Sequence, residues 1–295
     1  MVDLLKQTDF TGEQMFSPAT APSTIEWRNR LPARRDISHV IFDFDGTLSW
    51  LRHGWPGMML QVACAQVPPG TCESDPAFRD NLLNDILALN GKASFFQMER
   101  CANRIAERFG SKPDPAKMVQ EYQHHLEFDL TARVRAIREH QCEPDHFLIH
   151  GARSILEQLQ RRGIRLIILS GTVQPRVQEE ASLLAIDQFF GNHIYGSTAD
   201  LVASSKRAVI ERLMREERIQ GKHLLSFGDG PVEIALTKEA GGIAIGVASD
   251  EEINGSGQIN LQKRHQLAEA DAGAIIPDYR DAGILLEHIL GPLKT

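Results

Sequence analysis

Short β-prone runs that alternate with helix-like segments constrain the fold of this chain more than any other feature of its sequence. The runs cover residues 39–42, 164–169, 193–195, 224–227, 243–247 and 274–278. The helix-like segments among and after the later runs are residues 152–162, 175–184, 205–217, 232–240 and 282–290. Strands that alternate with helices are typical of a parallel sheet with helices on both faces. We therefore predict an α/β, Rossmann-like core in which ligands bind beyond the carboxyl ends of the strands.

The first and second β-prone runs are separated by a long segment in which we find no strand pattern. Its helix-like parts are residues 54–66, 76–90, 93–109, 115–126 and 128–141. The segment is too long for a simple crossover between strands, so it predicts a separate α-helical subdomain above the strand ends. The predicted organisation is a core of residues 37–50 and 147–295, with residues 51–146 inserted. Residues 1–36 are predicted to be a loop-rich extension, of which residues 25–35 have a composition compatible with docking on the core.

The net charge and the length of the apolar runs argue against nucleic acids and membranes as partners of this protein. Lys and Arg number 32 and Asp and Glu 39 among the 295 residues, so the net charge is −7. This mild acidity argues against nucleic acid as a partner, because phosphate backbones bind clustered Lys and Arg. No apolar run reaches the roughly 20 residues of a membrane helix, and the first residues lack the pattern of a secretory signal. We therefore expect a cytoplasmic protein with no membrane partner, while the sequence does not indicate an oligomeric state.

The four cysteines show no pattern of a metal site. None of them forms a CxxC pair, which argues against zinc. In a cytoplasmic protein we expect all four to be reduced thiols that serve mainly in packing. They are Cys64, Cys72, Cys101 and Cys142, and all lie in the predicted helical insertion.

The first β-prone run ends in the sequence DFDGT at residues 43–47. Asp43 and Asp45 are two residues apart, so their side chains point the same way if the chain stays extended. Two carboxylates that close repel each other unless a cation bridges them or one of them takes a proton. One carboxylate can attack phosphorus while the other delivers a proton to the leaving oxygen. Gly46 permits a sharp turn after the strand.

Three further polar segments follow strands or open helices on the same side of the predicted sheet. The second run ends in Ser170-Gly171-Thr172, which can hold phosphate oxygens through its hydroxyl and N–H groups or be a plain turn. The fourth ends in the sequence GDGPVE, in which Asp229 and Glu233 supply the oxygen ligands that Mg²⁺ prefers. Between these runs Lys206 opens a helix, where a cation can neutralise both nucleophile and phosphate. Arg207 is its competitor for that role.

Taken together and in this order, the four segments resemble the motifs of the haloacid dehalogenase-like hydrolase superfamily. DFDGT resembles the first motif, Ser170-Gly171-Thr172 the second, Lys206 the loosely defined third, and GDGPVE the fourth. Glu233 stands where the family usually has a second Asp. The resemblance extends over residues 37–295, and the helical insertion resembles the cap that members of this family carry between the first two motifs.

The resemblance implies a role for each of these residues. Asp43 is expected to be the nucleophile and Asp45 the general acid and base. Ser170, Gly171 and Lys206 are expected to bind the phosphate. The expected ligands of Mg²⁺ are Asp43, the backbone carbonyl of Asp45, and Asp229, while Glu233 is expected to hold a metal-bound water. Because Asp45 is present, dehalogenation and phosphonate cleavage are disfavoured.

The implied activity is that of a Mg²⁺-dependent phosphatase that acts on a small phosphorylated metabolite through an aspartyl-phosphate. A sugar phosphate is the favoured example, since Trp55 can stack on a sugar ring and Arg52 and His53 can bind a second polar group. Lys92, in a cap loop, is a further specificity candidate. In the plainer interpretation Trp50 and Trp55 pack the hinge, which is the connector between core and cap at residues 48–59, and Arg52 is solvated.

Two other functions remain open at this point. A phosphomutase-type phosphotransferase would share all four motifs and differ in how well water is kept from the aspartyl-phosphate. A non-catalytic binding or regulatory protein would retain the fold alone. The joint presence of a nucleophile and an acid disfavours this second alternative, because a binding protein has little need of both.

Overall fold

A computed structural model describes residues 23–28, 31–90, 92–200 and 202–293 of the chain. Within these ranges the helices and strands follow the alternation predicted from the sequence. The predicted loop character of residues 1–22 lies outside the described residues, as does Gly91, which separates the predicted helices at residues 76–90 and 93–109.

The core is a seven-stranded sheet with the strand order β1-β7-β6-β5-β2-β3-β4. Strands β2 to β7 are parallel, and β1 pairs with β7 in the antiparallel direction. The strands are β1 (Glu26–Trp27), β2 (His39–Phe42), β3 (Arg165–Val173), β4 (Ile194–Ser197), β5 (Leu224–Gly228), β6 (Ile243–Val247) and β7 (Ala274–Ile276). The predicted α/β class with a parallel sheet is therefore confirmed.

Strand β2 lies inside the sheet, between β5 and β3. All four of its residues are buried, and alternate side chains enter different apolar clusters. Val40 and Phe42 belong to the main core, whereas Ile41 packs with the strands and helix on the other face. A strand buried on both faces delivers Asp43, which follows directly, to a fixed position at the carboxyl edge of the sheet.

In the part of the chain that the structure describes, six α-helices cover the two faces of the sheet. They are α6 (Ala152–Arg161), α7 (Gln174–Leu183), α8 (Lys206–Glu216), α9 (Pro231–Glu239), α10 (Leu261–Glu269) and α11 (Ala282–Leu290). Helix α8 begins where Ser205 caps it, since the Ser205 side chain accepts a hydrogen bond from the backbone N–H of Ala208. Helix α10 was not expected from the sequence.

The inserted residues form a helical layer with an apolar cluster of their own. The helices are α1 (Trp55–Cys64), α2 (Thr71–Ser74), α3 (Pro76–Leu87), α4 (Ser94–Phe109) and α5 (Pro115–Arg138). The prediction of two helices at residues 115–126 and 128–141 is wrong, because α5 is a single helix. Its buried Tyr122 belongs to the cap cluster and its buried Leu130 to the main core, so one continuous helix joins the two layers.

Residues of the N-terminal extension contribute to the sheet. Glu26 pairs with Ile275 and Trp27 with Ala274, so a two-residue strand lies where a loop was expected. Thr24 donates hydrogen bonds from its N–H and its hydroxyl to Asp281. The described part of the extension is thus docked on the core, as the composition of residues 25–35 allowed.

The prediction that all four cysteines are reduced is wrong for two of them. Cys64 and Cys72 form a disulfide, with a Cα–Cα distance of 6.0 Å. Helix α1 ends at Cys64 and α2 begins at Thr71, so the short connection brings the two residues back together. Cys101 and Cys142 are free thiols. Among the described residues, no helix has both the length and the apolar character needed to cross a membrane.

Candidate active site

Asp43 lies at the carboxyl end of β2 beside a buried lysine. Lys206, the first residue of α8, donates a hydrogen bond from Nζ to Asp43 Oδ1 at 2.9 Å and also contacts Glu233 Oε1. Burial raises the pKa of the Asp43 carboxyl, and the positive charge of Lys206 partly opposes this shift. Arg207 instead pairs with Glu239 on the surface. Lys206, and not its neighbour, is therefore the cation beside Asp43.

Asp45 is held by an arginine from the hinge between core and cap. Arg52 Nη1 lies 3.1 Å from Asp45 Oδ1 and 3.3 Å from Oδ2. The Thr172 hydroxyl donates a further hydrogen bond to Oδ2 at 2.8 Å. Arg52 is fixed in turn by Glu180 on α7, through contacts of 2.6 and 3.0 Å. Arg52 is therefore neither solvated nor free, because two carboxyl groups contact its guanidinium.

The Glu180 carboxyl has an unusual electrostatic environment. Its side chain is buried, and burial raises its pKa to about 8, although Arg52 acts in the opposite direction. Arg52 is the nearer of two cations at this carboxyl, since Arg176 Nε lies 3.8 Å from Glu180 Oε1. Glu180 thus fixes the position of Arg52, and Arg52 in turn fixes the position of Asp45.

The segment Ser170-Gly171-Thr172 lies inside β3, near its carboxyl end. The pairing of β3 with β4 shifts register between Leu169 and Val173, so the strand is irregular at this point. Ser170 is buried, and its Oγ accepts a hydrogen bond from the N–H of Thr172 at 3.0 Å. The irregular strand turns these polar groups toward the same cavity as Asp43 and Asp45.

Asp229 follows β5 and is held from two sides. Asn90 of the cap donates a hydrogen bond from Nδ2 to Asp229 Oδ1 at 3.0 Å. Lys263 on α10 places Nζ 3.1 Å from Oδ2. Burial raises the pKa of Asp229 to about 6, while Lys263 lowers it. Gly46 packs so closely that a Cβ there would lie 2.2 Å from Asp229 Oδ2.

These groups fit a hard divalent cation. Asp229 Oδ2 is buried and, although it contacts Lys263, it accepts no hydrogen bond within the described part of the chain. Oxygen of this kind is what Mg²⁺ prefers. Among the described residues, no group of three or more His, Cys, Asp or Glu side chains is arranged so that it could hold a metal ion. A cation here would rely on Asp43 and Asp229, together with the backbone carbonyl of Asp45 that the family resemblance implies.

Glu233 is buried in contact with Lys206. Its Oε1 contacts Lys206, and its Oε2 is buried without a hydrogen-bond partner among the described residues. The structure therefore brings Glu233 to the lysine beside Asp43. A role in holding a metal-bound water stays a prediction.

A cavity of about 810 Å³ opens over Asp43 and Asp45, between the core and the cap. The other sequence-predicted residues that line it are Arg52, Trp55, Lys92, Ser170, Gly171 and Lys206. The cap adds amide side chains, among them Gln120 and Gln123. His53 does not line this cavity, because its ring stacks on Trp50 with 3.7 Å between the centroids. Trp50 thus packs the hinge, while Trp55 faces the cavity.

Several residues at the site were missed in the sequence. Thr172 belongs to the Ser170-Gly171-Thr172 segment, but the sequence assigns no separate role to its side chain. Asn90 and Lys263 lie far from the motifs along the chain, whereas Glu180 lies on the helix that directly follows Ser170-Gly171-Thr172. Each carries a common polar side chain in a helix or loop. Their only signal in a single sequence is their charge or amide group, which does not reveal a contact across the fold.

Comparison with known families agrees with this arrangement. A family model described as haloacid dehalogenase-like hydrolase matches residues 37–241. The match includes the segments that contain Asp43, Ser170, Lys206 and Asp229. No relative among curated proteins was detected.

This chain matches solved structures with the same fold over nearly the whole length of those structures. One, described as a predicted phosphoglycolate phosphatase from Haemophilus somnus, has 15% identity and a TM-score of 0.53, covering 85% of this chain and 98% of its own. A hydrolase of the family from Deinococcus radiodurans, with bound phosphate and sodium, has 14% identity and a TM-score of 0.54, covering 86% and 97%. A β-phosphoglucomutase from Clostridium difficile has 14% identity and a TM-score of 0.53, covering 85% and 97%. With a family model that spans most of the chain and a fold shared with these structures, the chain belongs to the haloacid dehalogenase-like hydrolases.

Proposed function

We propose that this protein is a Mg²⁺-dependent phosphatase that hydrolyses a small phosphorylated metabolite through an aspartyl-phosphate. The observation that carries the proposal is the pairing of two different carboxylates at one cavity. Asp43 is buried beside the Lys206 ammonium, whereas Asp45 is hydrogen-bonded by Arg52 and Thr172. Carboxylates in unlike surroundings can divide the roles of nucleophile and proton donor between them.

In this mechanism Asp43 attacks the phosphorus of the ester and forms the aspartyl-phosphate. Asp45 gives a proton to the leaving oxygen and then takes one from the water that hydrolyses the intermediate. Lys206 and the polar groups of residues 170–172 bind the phosphate oxygens. Mg²⁺, held by Asp43, Asp229 and the carbonyl of Asp45, would lower the repulsion between the anionic nucleophile and the phosphate.

The lining of the cavity supports a polar substrate of the sugar phosphate type. Trp55 offers an aromatic surface, and Gln120 and Gln123 offer both donors and acceptors of hydrogen bonds. Lys92, at the same cavity, offers a positive charge. The cap closes over the phosphate site and keeps bulk water away from it.

Phosphate release tests the proposal. The purified protein is incubated with a panel of phosphorylated metabolites, including sugar phosphates, in the presence of Mg²⁺ or of a chelator. We expect release that requires Mg²⁺ and favours one class of substrate. Isomer formation without net phosphate release would instead indicate a mutase, and the absence of both would contradict the proposal.

A further inference from the structure

Lys263 is buried beside the proposed cation site, although lysine side chains are rarely buried. Its side chain is 1% exposed, and its Nζ donates a hydrogen bond to Ser249 Oγ at 3.0 Å. It lies 3.1 Å from Asp229 Oδ2 and forms a closer ion pair with Glu251. A permanent positive charge therefore touches a carboxylate that is proposed to bind a divalent cation.

Glu251 is held in place between the lysine and the hinge of the cap. One of its carboxylate oxygens, Oε1, contacts Lys263, and the other, Oε2, accepts a hydrogen bond from the N–H of Gly54 at 2.8 Å. Gly54 lies directly before α1, the first helix of the cap. Both oxygens of Glu251 thus have fixed partners, which keeps its negative charge next to Lys263.

Lys263 and Glu251 have opposite effects on a divalent cation at Asp229. An ammonium beside a cation site repels a divalent cation, and burial makes the repulsion stronger than it is in water. A carboxylate in contact with the ammonium opposes this repulsion, and the Glu251 side chain is only 14% exposed. Glu251 therefore determines how much of the Lys263 charge is felt at Asp229.

We propose that Glu251 is a charge-balancing residue that sets the affinity of the site for its divalent cation by neutralising Lys263. The inference rests on the cation site of the proposed function, but not on the reaction that occurs there. Lys263 and Glu251 act through Asp229 and are positioning residues.

The test is the dissociation constant of Mg²⁺, measured by calorimetric titration of the protein without substrate. Glu251→Gln removes the neutralising charge but keeps an oxygen that can accept hydrogen bonds. Glu252→Gln is the matched control, since Glu252 is the next residue, is exposed, and makes the same change in net charge. The double variant Lys263→Met and Glu251→Gln removes both charges.

We expect Glu251→Gln to weaken Mg²⁺ binding at least about tenfold, which corresponds to about 1.4 kcal/mol. The Glu252→Gln control and the double variant are expected to stay within about threefold of the unaltered protein. Equal affinities of the two single variants would overturn the inference, as would a double variant that binds as weakly as Glu251→Gln. If Glu251→Gln does not fold, the double variant still decides, because the inference requires it to bind Mg²⁺ nearly normally.

The same experiment separates this inference from the proposed function. If the unaltered protein binds Mg²⁺ but releases no phosphate, the phosphatase proposal fails and the charge balance at the site is still measured. If the unaltered protein binds no Mg²⁺, the inference is overturned, whatever activity the protein has.

Discussion

Substitution of Gly46 by alanine tests whether catalysis depends on the position of Asp229. Gly46 has a φ angle of +73°, and a Cβ atom there would lie 2.2 Å from Asp229 Oδ2 and 2.8 Å from its Cγ. Since Cβ atoms do not approach other atoms within 3.0 Å, the carboxylate must retreat by roughly 1 Å, and a displacement of that size can cost about a hundredfold in rate. We therefore expect Gly46→Ala to lower kcat/KM for phosphate release about a hundredfold.

The matched control is Gly163→Ala. Gly163 has nearly the same φ angle, +69°, but no atom lies within 4 Å of the position of its Cβ, and it precedes the amino end of β3, away from the site. Both substitutions place alanine in the left-handed region, which costs about 1–2 kcal/mol of stability. Urea unfolding should show that loss in both variants, whereas steady-state kinetics should show a loss of activity in Gly46→Ala alone. If Gly46→Ala keeps kcat/KM within about threefold of the unaltered protein, Asp229 does not have the role assigned to it.

Three other substitutions test separate parts of the account. Arg52→Ala is expected to lower kcat about tenfold even for a small aryl phosphate, because Asp45 loses a charged hydrogen-bond donor; an effect on KM alone would contradict this. Glu180→Gln is expected to change how stability depends on pH. Because burial raises the Glu180 pKa to about 8, above its ordinary value of 4.5, the folded protein keeps a proton that the unfolded chain releases between these values. The free energy of unfolding should thus fall with rising pH in this window, by up to about 1.4 kcal/mol per pH unit, and urea unfolding at pH 5 to 8 should show a smaller fall in Glu180→Gln. Replacing Cys64 and Cys72 by serine should lower the stability of the cap by about 2–3 kcal/mol while phosphate-release kinetics change less than twofold; a larger kinetic change would show that the disulfide shapes the site.

The parts of the site that follow a strand could be predicted from the sequence, for a physical reason. The carboxyl ends of parallel strands meet at one edge of a sheet, so polar residues directly after β2, in β3 and after β5 come together whatever the details of packing. Asp43, Ser170 and Asp229 were predicted in this way. Lys206 was predicted because it opens a helix that leads away from the same edge.

Residues that reach the site from elsewhere could not be predicted in this way. Lys263 belongs to a helix with a weak sequence pattern, and its charge favours an exposed position in the absence of structural information. Glu180 meets Arg52 across 128 positions of sequence, and nothing local marks either as a partner of the other. The same limit applies to Asn90, whose contact with Asp229 depends on how the cap packs on the core.

Errors in the predicted secondary structure also have physical causes. The sequence predicts two helices, at residues 115–126 and 128–141, although the intervening Glu127 does not break a helix. The observed helix, Pro115–Arg138, is continuous because its buried side chains pack on both the cap and the core. The sequence predicts reduced thiols at Cys64 and Cys72 because the expected cytoplasmic location does not favour disulfides. Their pairing depends on the turn between α1 and α2, which brings the two backbones together.

The central claim is that Asp43 is phosphorylated during turnover. A reaction with Mg²⁺ and a good substrate can be quenched rapidly and treated with borohydride, which reduces an acyl phosphate on aspartate to homoserine. Peptide mass spectrometry is expected to find homoserine at position 43 in the unaltered protein, and neither homoserine nor turnover in the Asp43→Asn variant. An unmodified Asp43 during active turnover, or full activity of Asp43→Asn, would contradict the account.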